Sequence, residues 1–199
     1  PEGGLYYSML LRRSAQPERD LRLTPAAALA ALRAVERLSP LRCEIKWPND
    51  LLCGGKKLCG ILTEGFSARG LDWLVLGIGV NVNTPRFPPE LEAIAVSIRQ
   101  LTGRETALPA LAEALTEELD AAVAALRRGE TPLEAYRARC ATLGRPVRLL
   151  RSGGEREAFA LDVDADFTLR VRLPDGSEER VFSGEVSIRE SRDPESGEV

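Results

Sequence analysis

Apolar and polar residues recur with one set of spacings up to about Gly144 and with another beyond it. Residues 5–12 (LYYSMLLR) are rich in aromatic and apolar side chains and predict a strand. A polar, proline-containing link comes next. Thr24-Pro25 then opens a helix, with Thr24 placed to cap it and Pro25 suited to its first turn. Ala28, Leu29, Leu32, Val35 and Leu38 form the apolar face of that helix, and Pro40 lies just beyond its end. Residues 43–47 predict a short strand. Residues 50–53 and 57–64 predict two more, joined by a Gly54-Gly55 turn, and 73–82 a further apolar one. Residues 89–101 predict a helix ended by Gly103. Leu111, Leu115, Leu119, Ala122 and Leu126 mark a long amphipathic helix that stops at Gly129, and a shorter helix spans 132–143. Together these imply an α+β layer, a mixed or antiparallel sheet packed with helices.

From Gly144 the period shortens to two. Val147 and Leu149, then Phe159 and Leu161, are apolar at alternate positions; Phe167, Leu169, Val171 and Leu173 alternate with Thr168, Arg170 and Arg172. Pro174-Asp175-Gly176 makes a turn, and Val181 and Val186 sit in further short strands. Several short alternating strands predict a small β-barrel. The expected organisation is therefore a core over 1–143, a β domain over 144–190 and a frayed polar tail over 191–199.

Composition narrows the chemistry. Of 199 residues, 44% are hydrophobic and 29% charged, ordinary for a globular protein, and the net charge of -3 gives no sign of nucleic-acid binding. No apolar run is long enough to span a bilayer. The opening PEGGLYYSML lacks both an initiator Met and the pattern of a signal peptide, so a processed product or a fragment is expected. Histidine is absent, which excludes Ser-His-Asp and Cys-His catalysis. The four cysteines, Cys43, Cys53, Cys59 and Cys140, form no CxxC pair; no metal site is expected of them, and they read as buried small hydrophobes in a reducing cytoplasm.

Residues 44–65, EIKWPNDLLCGGKKLCGILTEG, stand out. Trp47-Pro48-Asn49-Asp50 places a bulky aromatic, a rigid residue and two polar residues between strands. Lys57 leads the alternation of Leu58, Gly60 and Leu62, which points it toward a cleft where an acid on the adjacent strand could face it, while Lys56 points the other way into solvent. A second segment, Leu76-Gly77-Ile78-Gly79-Val80-Asn81-Val82-Asn83, has two glycines of a GxGxxG, but Val82 replaces the third and no helix succeeds it, so a dinucleotide-binding reading fails. Glycines inside a strand mark close approach to the backbone, by a ligand or by a neighbouring side chain.

As a set, these segments resemble the biotin protein ligase family. Lys46-Trp47-Pro48-Asn49-Asp50-Leu51 is similar to its signature, Lys57-Leu58-Cys59-Gly60-Ile61-Leu62 to its lysine-bearing strand, and 77–83 to its next motif; Phe182-Ser183-Gly184-Glu185-Val186-Ser187 resembles the terminal motif of its SH3-like domain. The resemblance runs from Leu5 to about Arg189. It implies a class II synthetase-like core followed by an SH3-like barrel. The implied reaction has two steps: the biotin carboxylate attacks the α-phosphate of ATP, with Mg²⁺, and a carrier-protein lysine then takes the biotinyl group and releases AMP. By position, Lys57 and Asp50 are the implied catalytic residues. Lys57, Gly60, Gly77 and Gly79 are the implied biotin site, and Asn49, Asp50 and Asn81 the implied ATP site. Lys46 and Trp47 fit scaffold roles. The implied partner is a biotin carboxyl carrier protein of a carboxylase, in the cytoplasm, with a homodimer possible and neither DNA nor membrane involved.

Members of the family carry an upstream GRGRxGR loop that closes over biotin and phosphate, and PEGGLYYSM resembles the stretch immediately after that loop. The expectation is that this chain alone is nearly inactive. Loss of a charge-stabilising arginine from such a site costs on the order of 3 kcal/mol of transition-state stabilisation. A non-catalytic carrier-binding paralogue and a lipoate-type ligase are the competing readings.

Overall fold

The computed structural model describes residues 3–14, 16–68, 70–151, 154–182 and 185–188. The chain divides into two compact units: residues 1–141 with 165–167, and 142–164 with 168–199.

The first unit contains β1 (Gly4–Arg12), α1 (Pro17–Leu21), α2 (Leu23–Leu38), β2 (Glu44–Lys46), β3 (Asp50–Cys53), β4 (Lys56–Ala68) and β5 (Leu71–Asn81). It continues with α3 (Pro89–Glu92), α4 (Ile98–Thr102), α5 (Leu108–Arg127) and α6 (Leu133–Arg137). The five strands form one antiparallel sheet in the order β1-β5-β4-β3-β2. Alternation splits the sheet into two faces. Cys59 and Ile61 of β4 and Leu74, Leu76, Ile78 and Val80 of β5 are buried, on the side where α2 meets β4 and α5 meets β1. Six alanines, Ala26, Ala27, Ala28, Ala30, Ala31 and Ala34, are fully enclosed along α2. Their small side chains let this helix lie close to both the sheet and α5.

Three helix expectations change. The link before α2 itself contains α1, so the chain enters α2 through Arg22 already in helical conformation (φ -81°, ψ -10°), with no side-chain cap. Thr24 is therefore inside the helix, and its Oγ1 donates to Thr63 Oγ1 at 2.8 Å. The helix expected over 89–101 breaks into α3 and α4, because Ile94 and Val96 give their backbone groups to Lys57: Lys57 N donates to Ile94 O (2.8 Å) and Val96 N to Lys57 O (3.0 Å). Ser97 and Gln100 then restart the helix with a reciprocal capping box. The helix expected over 132–143 stops at Arg137, since Arg139 O and Ala141 N are taken by the backbone of Ile45.

The second unit holds β6 (Pro146–Arg151), β7 (Gly154–Val163), β8 (Leu169–Arg172), β9 (Glu178–Val181) and β10 (Glu185–Ile188), antiparallel in the order β10-β6-β7-β8-β9. Val147, Leu149, Ala158, Ala160, Val163, Leu169, Val171 and Val181 fill its interior. Outward-facing residues pair as Arg148–Glu155, Arg156–Glu179, Arg170–Glu178 and Arg180–Asp164. The strand expected from Phe167 begins at Leu169; Phe167 itself has φ 64° and groups with the first unit. The α+β class and the small C-terminal sheet thus agree with the sequence reading. The tail, and Ser183-Gly184 of the terminal motif, lie outside the described residues.

Candidate functional site

The uncovered face of the first sheet carries the candidate site. Register places Asp50 beside Gly60, Gly60 beside Gly79, Gly77 between Leu62 and Ser8, and Tyr6 beside Gly79. Plain alternation would send Lys57 to the opposite, buried face with Cys59 and Ile61. A β-bulge prevents this. Leu51 pairs with Cys59 and Leu52 with Lys57, so two steps on β4 oppose one on β3 and Leu58 is the extra residue. Leu58 and Cys59 are consecutively buried, at 0% and 1% exposure, while Leu62 is 56% exposed. The bulge shifts the parity of β4, and Lys57 reaches the open face.

There Lys57 Nζ lies 2.7 Å from Asp50 Oδ1, with the lysine side chain about half exposed and the aspartate largely shielded. Exposed pairs of this kind contribute roughly 0.2–1 kcal/mol, so folding alone does not account for the arrangement. A Cβ on Gly60 would meet Lys57 Cε at 3.2 Å and Nζ at 3.3 Å. Gly60 is thus the bare backbone over which the lysine side chain lies. At Gly77 and Gly79 an added Cβ would touch its surroundings only at ordinary distance, 3.8 Å from Leu62 O and Tyr6 Cδ1 respectively. Those two glycines keep the floor of the groove low.

The surroundings fix the two charged residues. Asn49 O accepts from Ile61 N at 3.0 Å, and Asn49 Nδ2 donates to Ile61 O. Tyr136 Oη, fully enclosed and with its ionisation pushed up by burial, donates to Pro48 O at 2.9 Å. Trp47 is buried at the first position of the turn between β2 and β3, forms a cis peptide with Pro48, and donates its indole N–H to Phe167 O at 2.9 Å. Lys57 is pinned through its backbone by residues 94–96, and Asn81 Nδ2 donates to Lys57 O at 3.3 Å. Lys56 is not freely solvated as expected: its Nζ donates to Glu92 O at 2.7 Å.

A groove of about 420 Å³ results, lined by Asn49, Asp50, Lys57, Gly60, Gly77 and Gly79 among the residues singled out from sequence. Asn81 is not in its lining; its amide is spent on the lysine strand. Tyr6, Ser8 and Leu62 also line the groove and were missed. Their signal lay in the register of β1 against β5, which sets Tyr6 and Ser8 opposite Gly79 and Gly77.

Known proteins share this architecture. Residues 1–81 match the biotin/lipoate A/B protein ligase family, and residues 142–189 match the biotin protein ligase C terminal domain. The biotin--[acetyl-CoA-carboxylase] ligase of Paracoccus denitrificans is 30% identical over 191 residues, covering 88% of this chain and 77% of that relative. The chain belongs to the biotin protein ligase family. The bifunctional ligase/repressor BirA of Bacillus subtilis is 38% identical over 105 residues, 51% of this chain but only 32% of BirA. A biotin protein ligase from Aquifex aeolicus, solved in complex with biotin and ATP, superimposes with a TM-score of 0.81 at 26% identity, covering 96% of this chain and 80% of the other.

Among the described residues no three or more Cys, Asp or Glu side chains gather so as to hold a metal ion. Among them Asp50 is the one carboxylate lining the groove, and it is paired with Lys57. Mg²⁺ held chiefly by phosphate oxygens would ask no more of the protein. No described helix is long and apolar enough to cross a membrane.

Proposed function

We propose that this chain carries the adenylate-forming site of a biotin protein ligase, which activates biotin with ATP and passes it to a lysine of a biotin carboxyl carrier protein in the cytoplasm. The observation that carries the reading is the Lys57–Asp50 pair laid over Gly60 beside the bare floor of Gly77 and Gly79. In the first step a carboxylate oxygen of biotin bonds to the α-phosphorus of ATP and pyrophosphate leaves. Both reactants are anions, and charge builds on the phosphoryl oxygens. The Lys57 ammonium supplies a fixed positive charge there, and Asp50 holds it in place so that little reorganisation accompanies reaction. In the second step the carrier amine bonds to the acyl carbon and AMP leaves. Asn49 and Asp50 stand at the nucleotide side of the groove. Asn81 acts there by holding the lysine strand.

Lys57 is the one cation lining the groove among the described residues, so the 199-residue chain is expected to turn over slowly. Biotin is favoured over lipoate because the C-terminal match is to the biotin ligase domain. A carrier-docking role without chemistry is the second reading, favoured by β1, which stands at the edge of the sheet and can accept an added strand.

Biotin-dependent ATP–pyrophosphate exchange tests the proposal. Lys57→Gln should lower the exchange rate by about 10²-fold or more with an unchanged melting temperature. Exchange that survives this substitution overturns the role of Lys57. Carrier binding with no exchange in any variant establishes the docking role instead, and displacement of biotin by lipoate at equal concentration would reassign the substrate.

A further inference from the structure

The hairpin bearing residues 47–50 has two buried cysteines at its base. Ile45 N donates to Arg139 O at 2.7 Å, and Ala141 N donates to Ile45 O at 2.8 Å. Both backbone groups of Ile45 therefore face away from β3. Antiparallel neighbours alternate between hydrogen-bonded and non-hydrogen-bonded pairs. Glu44/Leu52 and Lys46/Asp50 are then the bonded pairs, and Ile45/Leu51 is a non-bonded one. One further step along the same register sets Cys43 opposite Cys53 as the next non-bonded pair. Such pairs bring Cα atoms to about 4.5 Å with side chains close together, inside the range of about 4.4–6.8 Å that a disulfide spans.

The side chains agree with that register. Cys53 Sγ donates to the carbonyl of Arg42, the residue next to Cys43, at 3.4 Å, and each of the two thiols influences the ionisation of the other. All four cysteines are reduced and buried. Cys59 lies on the next strand and Cys140 at a bridge to Ile45, so neither occupies the cross-strand position.

We infer that Cys43 and Cys53 form a dithiol that closes to a disulfide at the base of the site hairpin when the protein meets a small peroxide. The Cys53 sulfur, having lost its proton to water, attacks one peroxide oxygen. The O–O bond breaks, and the departing hydroxide takes up a proton to become water. The resulting Cys53 sulfenic acid is attacked by the Cys43 sulfur: the S–S bond forms, the S–O bond breaks, and the oxygen leaves as a second water carrying the Cys43 proton. Two thiols and one peroxide give one disulfide and two waters. Burial raises both thiols, Cys43 to about 12, so the pair is slow toward ambient oxidants and closed to bulky ones. The bridge ties together the two strands that present Asn49 and Asp50 and restricts the unfolded chain. Nothing in this inference depends on the ligase reading.

The test exposes the folded chain to hydrogen peroxide, alkylates the remaining thiols, digests, and maps cross-linked peptides by mass spectrometry. The expected product links Cys43 to Cys53 with the loss of two hydrogens. It raises the melting temperature by several degrees, and dithiothreitol reverses both changes. Cys59→Ala should retain the bridge, and Cys53→Ser should abolish both the bridge and the thermal shift. A bridge that includes Cys59 or Cys140, sulfinic or sulfonic acids without any bridge, or a bridge that forms only in denaturant would overturn the inference. Peptide mapping of the unsubstituted chain decides the matter even if Cys53→Ser fails to fold.

Discussion

The two faces of the first sheet are built from the same strands under opposite rules. On the covered face Leu74, Leu76, Ile78 and Val80 succeed one another at alternate positions, each enclosed. On the open face the same strand offers Trp73, Val75, Gly77 and Gly79, and its neighbours present Tyr6, Leu10, Leu62 and Phe66 to solvent. A covered face gains stability from every apolar atom it removes from water. The open face forgoes that gain and keeps bare backbone and exposed rings along the groove proposed to take a ligand. On that proposal stability and function are divided across a single layer of backbone, and substitutions on the two faces should separate accordingly.

The largest effect is expected from Leu76→Ala. Leu76 is wholly buried at the centre of the covered face, and a leucine truncated in such a place costs about 3 kcal/mol. Urea denaturation should show that loss. A cost below about 1 kcal/mol would mean that the helices do not seal this face.

Next comes a paired acid on the helix side. Glu36 of α2 accepts from Arg139 and from Cys43 N at 3.0 Å, and so anchors the chain where it enters the site hairpin. Burial opposes its ionisation, but the bonds from Arg139 and from the Cys43 N–H, helped by the charges of Arg139 and Arg42, prevail and hold its pKa below the usual 4.5. A carboxylate whose pKa is depressed on folding contributes stability that is fully present above its unfolded pKa and is lost as pH falls through the folded one. Glu36→Gln should therefore cost about 2 kcal/mol at neutral pH. The gap between variant and parent should close as denaturation is repeated at pH values falling below 4.5. A gap that stays constant down the acid range would assign the effect to packing.

How much of this division was legible differs by element. The strands, α2 and α5 announced themselves because each buries one apolar stripe. Residues 89–101 misled because ELEAIAVSIRQL carries helical spacing, while backbone pairing between Lys57 and residues 94–96 wins locally. The glycines and the KWPND turn could be named from their sequence context. That they meet depends on strand register, which sets Gly60 opposite Gly79 in a pairing that no spacing rule encodes. Lys57 is the instructive case. Counting in twos from Leu58 cannot place it on the face of Gly60; only the bulge does. The adjacent apolar pair Leu58-Cys59 was the trace of that bulge, visible in sequence but open to other readings. Tyr6 and Ser8 went unnoticed for the same reason as the glycine cluster: their significance lies in what β5 sets opposite them.

Gly60→Ala sharpens the contrast at the bulge. The new methyl would press on the far end of the Lys57 side chain at 3.2–3.3 Å and on no backbone atom. The lysine can swing aside cheaply, so the stability change should stay below about 1 kcal/mol. The ammonium, however, leaves its position beside Asp50, and biotin-dependent exchange should fall about 10-fold, equivalent to about 1.4 kcal/mol in the barrier. A large loss of stability with unchanged exchange would reverse the assignment of Gly60 from site to scaffold.

The smallest stability change is expected from Leu62→Ala, and it separates the faces most cleanly. Leu62 and Leu76 are both leucines in central strands of one sheet, but Leu62 is 56% exposed and Leu76 is 0% exposed. Because Leu62 is already largely hydrated, its truncation should alter the free energy of unfolding by less than about 0.5 kcal/mol. It nevertheless lines the groove beside Gly77, where roughly half of the contact of the three lost carbons would face a bound apolar ligand, about 1.3 kcal/mol at about 0.8 kcal/mol per methylene. The KM for biotin should therefore rise roughly 10-fold while kcat holds, since contacts of this kind strengthen ground state and transition state alike. If Leu62→Ala instead destabilised the fold as Leu76→Ala does, the open face would serve stability as the covered one does, and the division between the two would fail.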